Sequence, residues 1–241
     1  MATAKSLAFI TGANKGIGFE VARELGKAGW TVLLGARSPS LGRAAESKLR
    51  GEHIDARFIE LDVTEPKTVS AAAEKIQAEF GRLDLLVNNA GIVDKQDGLP
   101  SAANVEAVDR LMRTNFLGAV AVAQAVLPLL KKSQAARIIN VSSGLGSIAR
   151  NGNPAWDLRY VLLGYCSSKA ALNMFTVQLA FELKSAGIAV NSVNPGYTAT
   201  DINEHRGHQT VEQGAAEIVR LALLDHGPTG GFFETGASIP W

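Results

Sequence analysis

The chain has almost no sulfur available for crosslinking: one residue of 241, Cys166, is a cysteine. An intrachain disulfide is excluded, and such usage suits a reducing compartment. An excess of either charge is missing as well. The formal net charge is +1, so the bulk balance points to neither nucleic acid nor an anionic membrane as a partner. No apolar run reaches the ~18 residues of a membrane span. The run after Lys5 is too short for a signal-peptide core, and the expectation is a soluble, cytoplasmic protein. Aromatics are few, at 6%. His205 and His208 have no cysteine or carboxylate cluster around them in the sequence, and no metal is expected.

What is present is alternation. Short apolar runs ("SLAFI", "TVLLG", "IDARFIEL", "LDLLVN", "ARIINVS", "IAVNSVN" and a weaker "GGFFE") are separated by segments of helical period. In "GIGFEVARELGKAG", Ile17, Val21 and Leu25 recur every four positions, and Gly29 supplies a stop. In "EPKTVSAAAEKIQAEFG", Val69, Ala72, Ala73, Ile76 and Phe80 form an apolar face, with Pro66 at the start. Continuous apolar strands alternating with helices predict an α/β, doubly wound parallel sheet covered on both faces. With no repeat or linker in view, residues 1–241 read as a single domain.

The first strand runs into "TGANKGIG", with Gly12, Gly16 and Gly18. A glycine-rich turn at a strand–helix junction lets backbone N–H groups and the helix dipole meet a phosphate. The spacing is G-x3-G-x-G, which is neither the commonest dinucleotide fingerprint nor a P-loop. At the end of the second strand, "LLGARS" lacks the acid that would bind a ribose 2′-hydroxyl. Ala36 stands there, followed by Arg37. With Lys15 in the glycine turn, two cations and no acid suit a 2′-phosphate, whose dianion a carboxylate would repel. Two unrelated solvated charges are the bland alternative.

In "YCSSK", Tyr165 and Lys169 are four positions apart and share one helical face. A phenol beside an ammonium is a candidate acid–base pair, although the spacing also arises by chance. Tyr160, by contrast, has Gly164 four positions on.

Taken in order, "TGANKGIG", "NNAG" (88–91), Asn115 in "RTNFLG", "NVSS", "YCSSK" and "NPG" (194–196) resemble the short-chain dehydrogenase/reductase family, with "NKGIGFE" and "RIINVSS" closest to its carbonyl-reductase branch. The resemblance implies a Rossmann-type sheet of about seven strands in the order 3-2-1-4-5-6-7. It implies Tyr165 as general acid, Lys169 beside it, Ser143 holding the substrate oxygen and Asn115 anchoring a water. A free phenol has a pKa of about 10, and the Lys169 ammonium together with the positive oxidised nicotinamide is expected to lower it. The remaining cofactor contacts implied are Asn14, Ile17, Asp62, Val63, Asn89, Ala90, Gly91, Pro195, Gly196, Thr198 and Thr200. Bland readings stand beside these: Ser142 and Ser143 could simply end a strand, and Asn115 could cap or kink a helix.

Ser143 and Tyr165 stand 22 positions apart, farther than in the family's plainest members. Residues 144–164 therefore contain an insertion, which leaves monomer and homodimer both open. Trp156, Leu158 and Tyr160 of the insertion line an apolar substrate pocket together with Tyr197, or Trp156 merely pins the inserted loop. The activity implied is NADP(H)-dependent reduction of an aldehyde, ketone or quinone. The alternatives are an NADP-dependent alcohol or hydroxysteroid dehydrogenase, and a non-catalytic NADP-sensing protein.

Overall fold

The computed structural model describes residues 5–156 and 161–241. Elements follow in the order β1 (Leu7–Thr11), α1 (Gly16–Lys27), β2 (Thr31–Ala36), α2 (Pro39–Gly51), β3 (Ala56–Glu60), α3 (Pro66–Phe80) and β4 (Leu85–Asn88). Then come α4 (Val105–Met112), a π-helical turn (Arg113–Leu117), α5 (Gly118–Leu130), β5 (Arg137–Val141), α6 (Ile148–Asn151) and α7 (Leu163–Glu182). The chain closes with β6 (Ala189–Val193), α8 (Val211–Leu223), β7 (Phe232–Glu234) and β8 (Ala237–Ser238).

The sheet has the order β3-β2-β1-β4-β5-β6-β7-β8. Every pairing is parallel except β7 with β8. The seven-stranded order expected from sequence is present with one addition. Strand β8 is a two-residue return beyond Gly236, too short to leave a periodic signal of its own.

Alternate strand residues feed two cores, as the two-residue period of a pleated strand requires. Leu7 and Phe9 of β1 face a cluster completed by Val69 and Ile76 of α3, Val126 of α5 and Leu179 of α7. Ala8 and Ile10 face the opposite cluster, with Val21 and Leu25 of α1, Leu49 of α2 and Ile218 of α8. The predicted α3 face packs as expected: Val69, Ala72 and Ile76 are buried, and Ala73 and Phe80 pack against them. The helical stretch Val105–Leu130 is long and apolar enough, by length and composition, to cross a membrane. Its apolarity serves the first core, which takes up Val122, Ala123, Val126, Leu129 and Leu130.

A polar rung crosses the interior near the carboxyl ends of the strands. Asn88, Asn140 and Ser192 are aligned in register across β4, β5 and β6. Asn88 Nδ2 donates to Asn140 Oδ1 at 2.9 Å, and Asn140 Nδ2 donates to Thr176 Oγ1 at 2.8 Å. Thr176 also hydrogen-bonds the Ser192 hydroxyl at 2.8 Å. Buried polar groups demand partners, so this rung fixes where α7 sits along the sheet.

Candidate active site

At the carboxyl end of β1 the chain turns through Gly12 and Gly16, both at positive φ (64° and 58°). A Cβ on Gly12 would also lie 3.0 Å from Ala90 Cα, so only glycine fits without strain. Helix α1 starts from an extended Lys15 with no side-chain cap and no acidic residue in its first turn. Its leading N–H groups and positive dipole end thus lack an internal side-chain acceptor, the arrangement that receives an anion. The turn is stitched to the end of β4. The N–H groups of Asn89 and Ala90 both donate to Thr11 Oγ1 at 2.9 Å, and Asn89 Nδ2 donates to Thr11 O at 2.9 Å. Asn14 and Ile17 are half-buried within the turn and Gly18 is buried.

Arg37 is exposed just past β2, next to the end of β1. Among the described residues it makes no ion pair. Lys15 is engaged: its ammonium pairs with the Asp201 carboxylate, which also meets His205 Nε2 at 2.8 Å. Lys15 holds the Asp201 carboxyl below the usual range. The chain after β6 therefore reaches back over the strand ends to the glycine turn. There the Thr200 methyl lies 3.5 Å from where a Gly16 Cβ would stand. The Thr198 N–H donates to Gly196 O at 3.0 Å, and its carbonyl accepts from Asn203 Nδ2 at 2.8 Å. Asp62 Oδ1 accepts from the Thr64 N–H and hydroxyl at 2.9 and 2.7 Å, and Val63 is buried beside it.

Tyr165 and Lys169 lie one turn apart on α7, facing the end of β5. Lys169 is only 5% exposed. Its Nζ donates to Val141 O at 2.8 Å and lies 5.8 Å from the Tyr165 ring centroid. Burial pulls the Lys169 pKa down to about 8 and pushes the Tyr165 phenol up to about 12. A hydrogen bond with the Ser143 hydroxyl works against that rise. With no cofactor charge beside it, the phenol is raised by burial rather than lowered. Desolvation disfavours both charged forms, and it dominates here.

Asn115 sits in the π turn, 1% exposed. Its Oδ1 accepts from the Ile92 N–H at 2.8 Å. Its Nδ2 donates to Ile92 O and to Ser168 Oγ, both at 3.0 Å. A Cβ on Gly91 would fall 3.4 Å from Asn115 Oδ1 and 3.5 Å from Lys169 Nζ, so the bare glycine leaves a space that both groups face. The turn does interrupt the regular helix, as the structural reading of Asn115 held. It also places the side chain between Ile92 and Ser168; single π turns often mark functional positions.

The family model described as short chain dehydrogenase matches residues 6–210. Short-chain dehydrogenase/reductase 1 of Saponaria officinalis is 35% identical, with 96% of this chain and 94% of that protein covered. Carbonyl reductase (NADPH) 3 of Rattus norvegicus is 33% identical, with 93% of each covered. The crystal structure of NADPH-bound carbonyl reductase from chicken fatty liver superposes with a TM-score of 0.87 at 29% identity, covering 99% of this chain and 100% of that one. The chain belongs to the short-chain dehydrogenase family.

In this short-chain dehydrogenase the segment around α6 is held by the carboxyl-terminal residues. Ser147 Oγ donates to Pro240 O at 2.6 Å, the Ala149 N–H donates to Trp241 O at 2.8 Å, and Trp241 stacks on Phe232 at 5.4 Å. Arg150 of α6 grips Glu234 of β7 through two hydrogen bonds, at 3.1 and 2.6 Å. Glu234 also accepts from Asn194 Nδ2 at 2.9 Å. The arginine holds the Glu234 carboxyl below the usual range. The Arg150 guanidinium carbon lies over the Trp156 ring, 6.0 Å from its centroid. Tyr197 is 41% exposed and tilts against His208 at 5.9 Å. Leu158 and Tyr160 lie outside the described residues. Thr11, Arg150, Ser168 and Glu234 escaped the sequence reading. Of these, Thr11 inside "TGANKGIG" and Ser168 inside "YCSSK" lay within motifs that could announce them.

Proposed function

We propose that the protein is an NADPH-dependent carbonyl reductase that converts an aldehyde, ketone or quinone into the corresponding alcohol. What carries the reading is the convergence of the Ser143 hydroxyl, the Tyr165 phenol and the Lys169 ammonium at the end of β5. The relatives named for NADPH-dependent carbonyl reduction support it.

The residues fit the cofactor. The uncapped start of α1 and the turn at Gly12, Gly16 and Gly18 suit a pyrophosphate, and Lys15 and Arg37 suit a 2′-phosphate. When bound, NADPH supplies the hydride that reaches the carbonyl carbon. Ser143 donates a hydrogen bond to the substrate oxygen and fixes its position. Tyr165 gives that oxygen its hydroxyl proton, which completes the alcohol. A phenol pushed up to about 12 holds its proton at neutral pH, and a lower value with the cofactor bound would bring it toward the range where proton transfer is efficient. Lys169, charged below about pH 8, stabilises the phenolate left behind. The space bounded by Gly91, Asn115 and Lys169 is where a water would return a proton from solvent.

The experiment is NADPH consumption by the purified protein against a panel of aldehydes, ketones, quinones and steroids. Carbonyl-dependent oxidation of NADPH is expected. Tight NADPH binding without turnover of any member would overturn the reading in favour of a sensor.

A further inference from the structure

Helix α7 carries the acid and its lysine, yet its own sequence does not cap it. The N-cap position, Leu162, has no side-chain acceptor, and the first turn contains no acidic residue. The first N–H groups of a helix need partners, and here the partner comes from far away in the chain. Asp97 Oδ1 accepts from the Gly164 N–H and Oδ2 from the Tyr165 N–H, both at 2.8 Å. A carboxylate astride a helix N-terminus gains from both hydrogen bonds and dipole.

The segment bearing Asp97 is itself braced. Asp94 is ion-paired to Arg110 of α4 at 2.8 Å, and the Asp97 N–H donates to Asp94 O at 3.1 Å. The same segment begins at Ile92, whose two backbone groups Asn115 holds. Asn115 in turn donates to Ser168 Oγ, and that hydroxyl donates to Tyr165 O at 2.8 Å. The peptide N–H and C=O of Tyr165 are thus tied to two side chains joined through one loop. Gly164 completes the fit: a Cβ there would lie 2.7 Å from Leu111 Cδ1 and 3.2 Å from Asp97 Oδ1.

Resting on the carbonyl-reductase reading, we infer that Asp97 is a positioning residue for Tyr165. Its carboxylate sets where the phenol stands relative to the substrate oxygen. Displacement of a catalytic group by about an ångström costs up to about 100-fold in rate. The loss should fall on the chemical step, because Asp97 touches neither the glycine turn nor the two cations.

The test compares Asp97→Ala and Asp97→Asn with the parent, using a carbonyl that the parent turns over. Asp97→Ala is expected to lower kcat by about tenfold or more. NADPH Kd and carbonyl KM should stay within about twofold. Asp97→Asn retains one acceptor oxygen and should recover part of kcat. A structural cap alone would lower Tm and leave kcat unchanged well below the melting range. Both variants keeping kcat within about twofold of the parent would overturn the inference. If Asp97→Ala does not fold, Asp97→Asn decides alone: unchanged kcat sinks the proposal. A parent that binds NADPH but turns over no carbonyl would refute the carbonyl-reductase reading instead.

Discussion

Burial acts on the two central side chains in opposite directions. It holds Tyr165 protonated, pushed up to about 12, and drives Lys169 toward its neutral form at about 8. The oxidised nicotinamide is cationic, so its arrival should favour the phenolate and lower the Tyr165 pKa. We expect ultraviolet difference titration, with Tyr165→Phe as the reference, to place the phenol near 12 without cofactor and distinctly lower with NADP⁺. An unchanged midpoint would separate the cofactor's charge from the phenol. Tyr165→Phe should also reduce turnover by at least about 100-fold while leaving NADPH Kd within about twofold. Undiminished turnover would remove Tyr165 from the chemistry.

The elements divide by what their own residues could declare. Strands β1, β2 and β4 were legible because they are buried throughout and read as nearly unbroken apolar runs, whereas β3, at the sheet edge, mixes buried with exposed residues. Helix α7 announced its functional face through the spacing of Tyr165 and Lys169, but not its start, which Asp97 supplies from a loop 67 positions away. No local pattern encodes such a cap. The ends of β1 and β2 are neighbours by strand pairing, which places Arg37 beside the turn bearing Lys15. Arg37→Glu should lower kcat/KM for NADPH by about 10–100-fold, the worth of a charge-assisted hydrogen bond. It should also improve the use of NADH. Equal effects on both cofactors would show that Arg37 does not meet the 2′-phosphate.

For the whole molecule, Lys169 is a burden on stability. Its folded-state pKa is lowered from 10.5 to about 8, so the unfolded chain binds more protons between those values. Stability from this group rises with pH across that window, and the full penalty applies below about 8. Tyr165 runs the other way: its contribution is complete below pH 10 and is lost as pH rises through about 12. Lys169→Met should therefore abolish turnover yet stabilise the fold at pH 7 by about 1–3 kcal/mol. That gain should shrink as pH approaches 10. Tm measured against pH for both proteins checks this, and a variant less stable at pH 7 would contradict it.

Apolar runs, helical periods and the glycine turn determined the doubly wound sheet, because burial on both faces and backbone geometry leave marks in local sequence. The ordered motifs determined which side chains meet at the strand ends. Tertiary structure decided what each of them experiences there. It paired Lys15 with Asp201, joined Ser147 to Pro240 and tied the Tyr165 peptide to Asp97 and Ser168. It also dehydrated the phenol and the ammonium, which raises the one pKa and lowers the other. Desolvation and long-range capping depend on distances between segments remote in the chain, and only folding sets those distances.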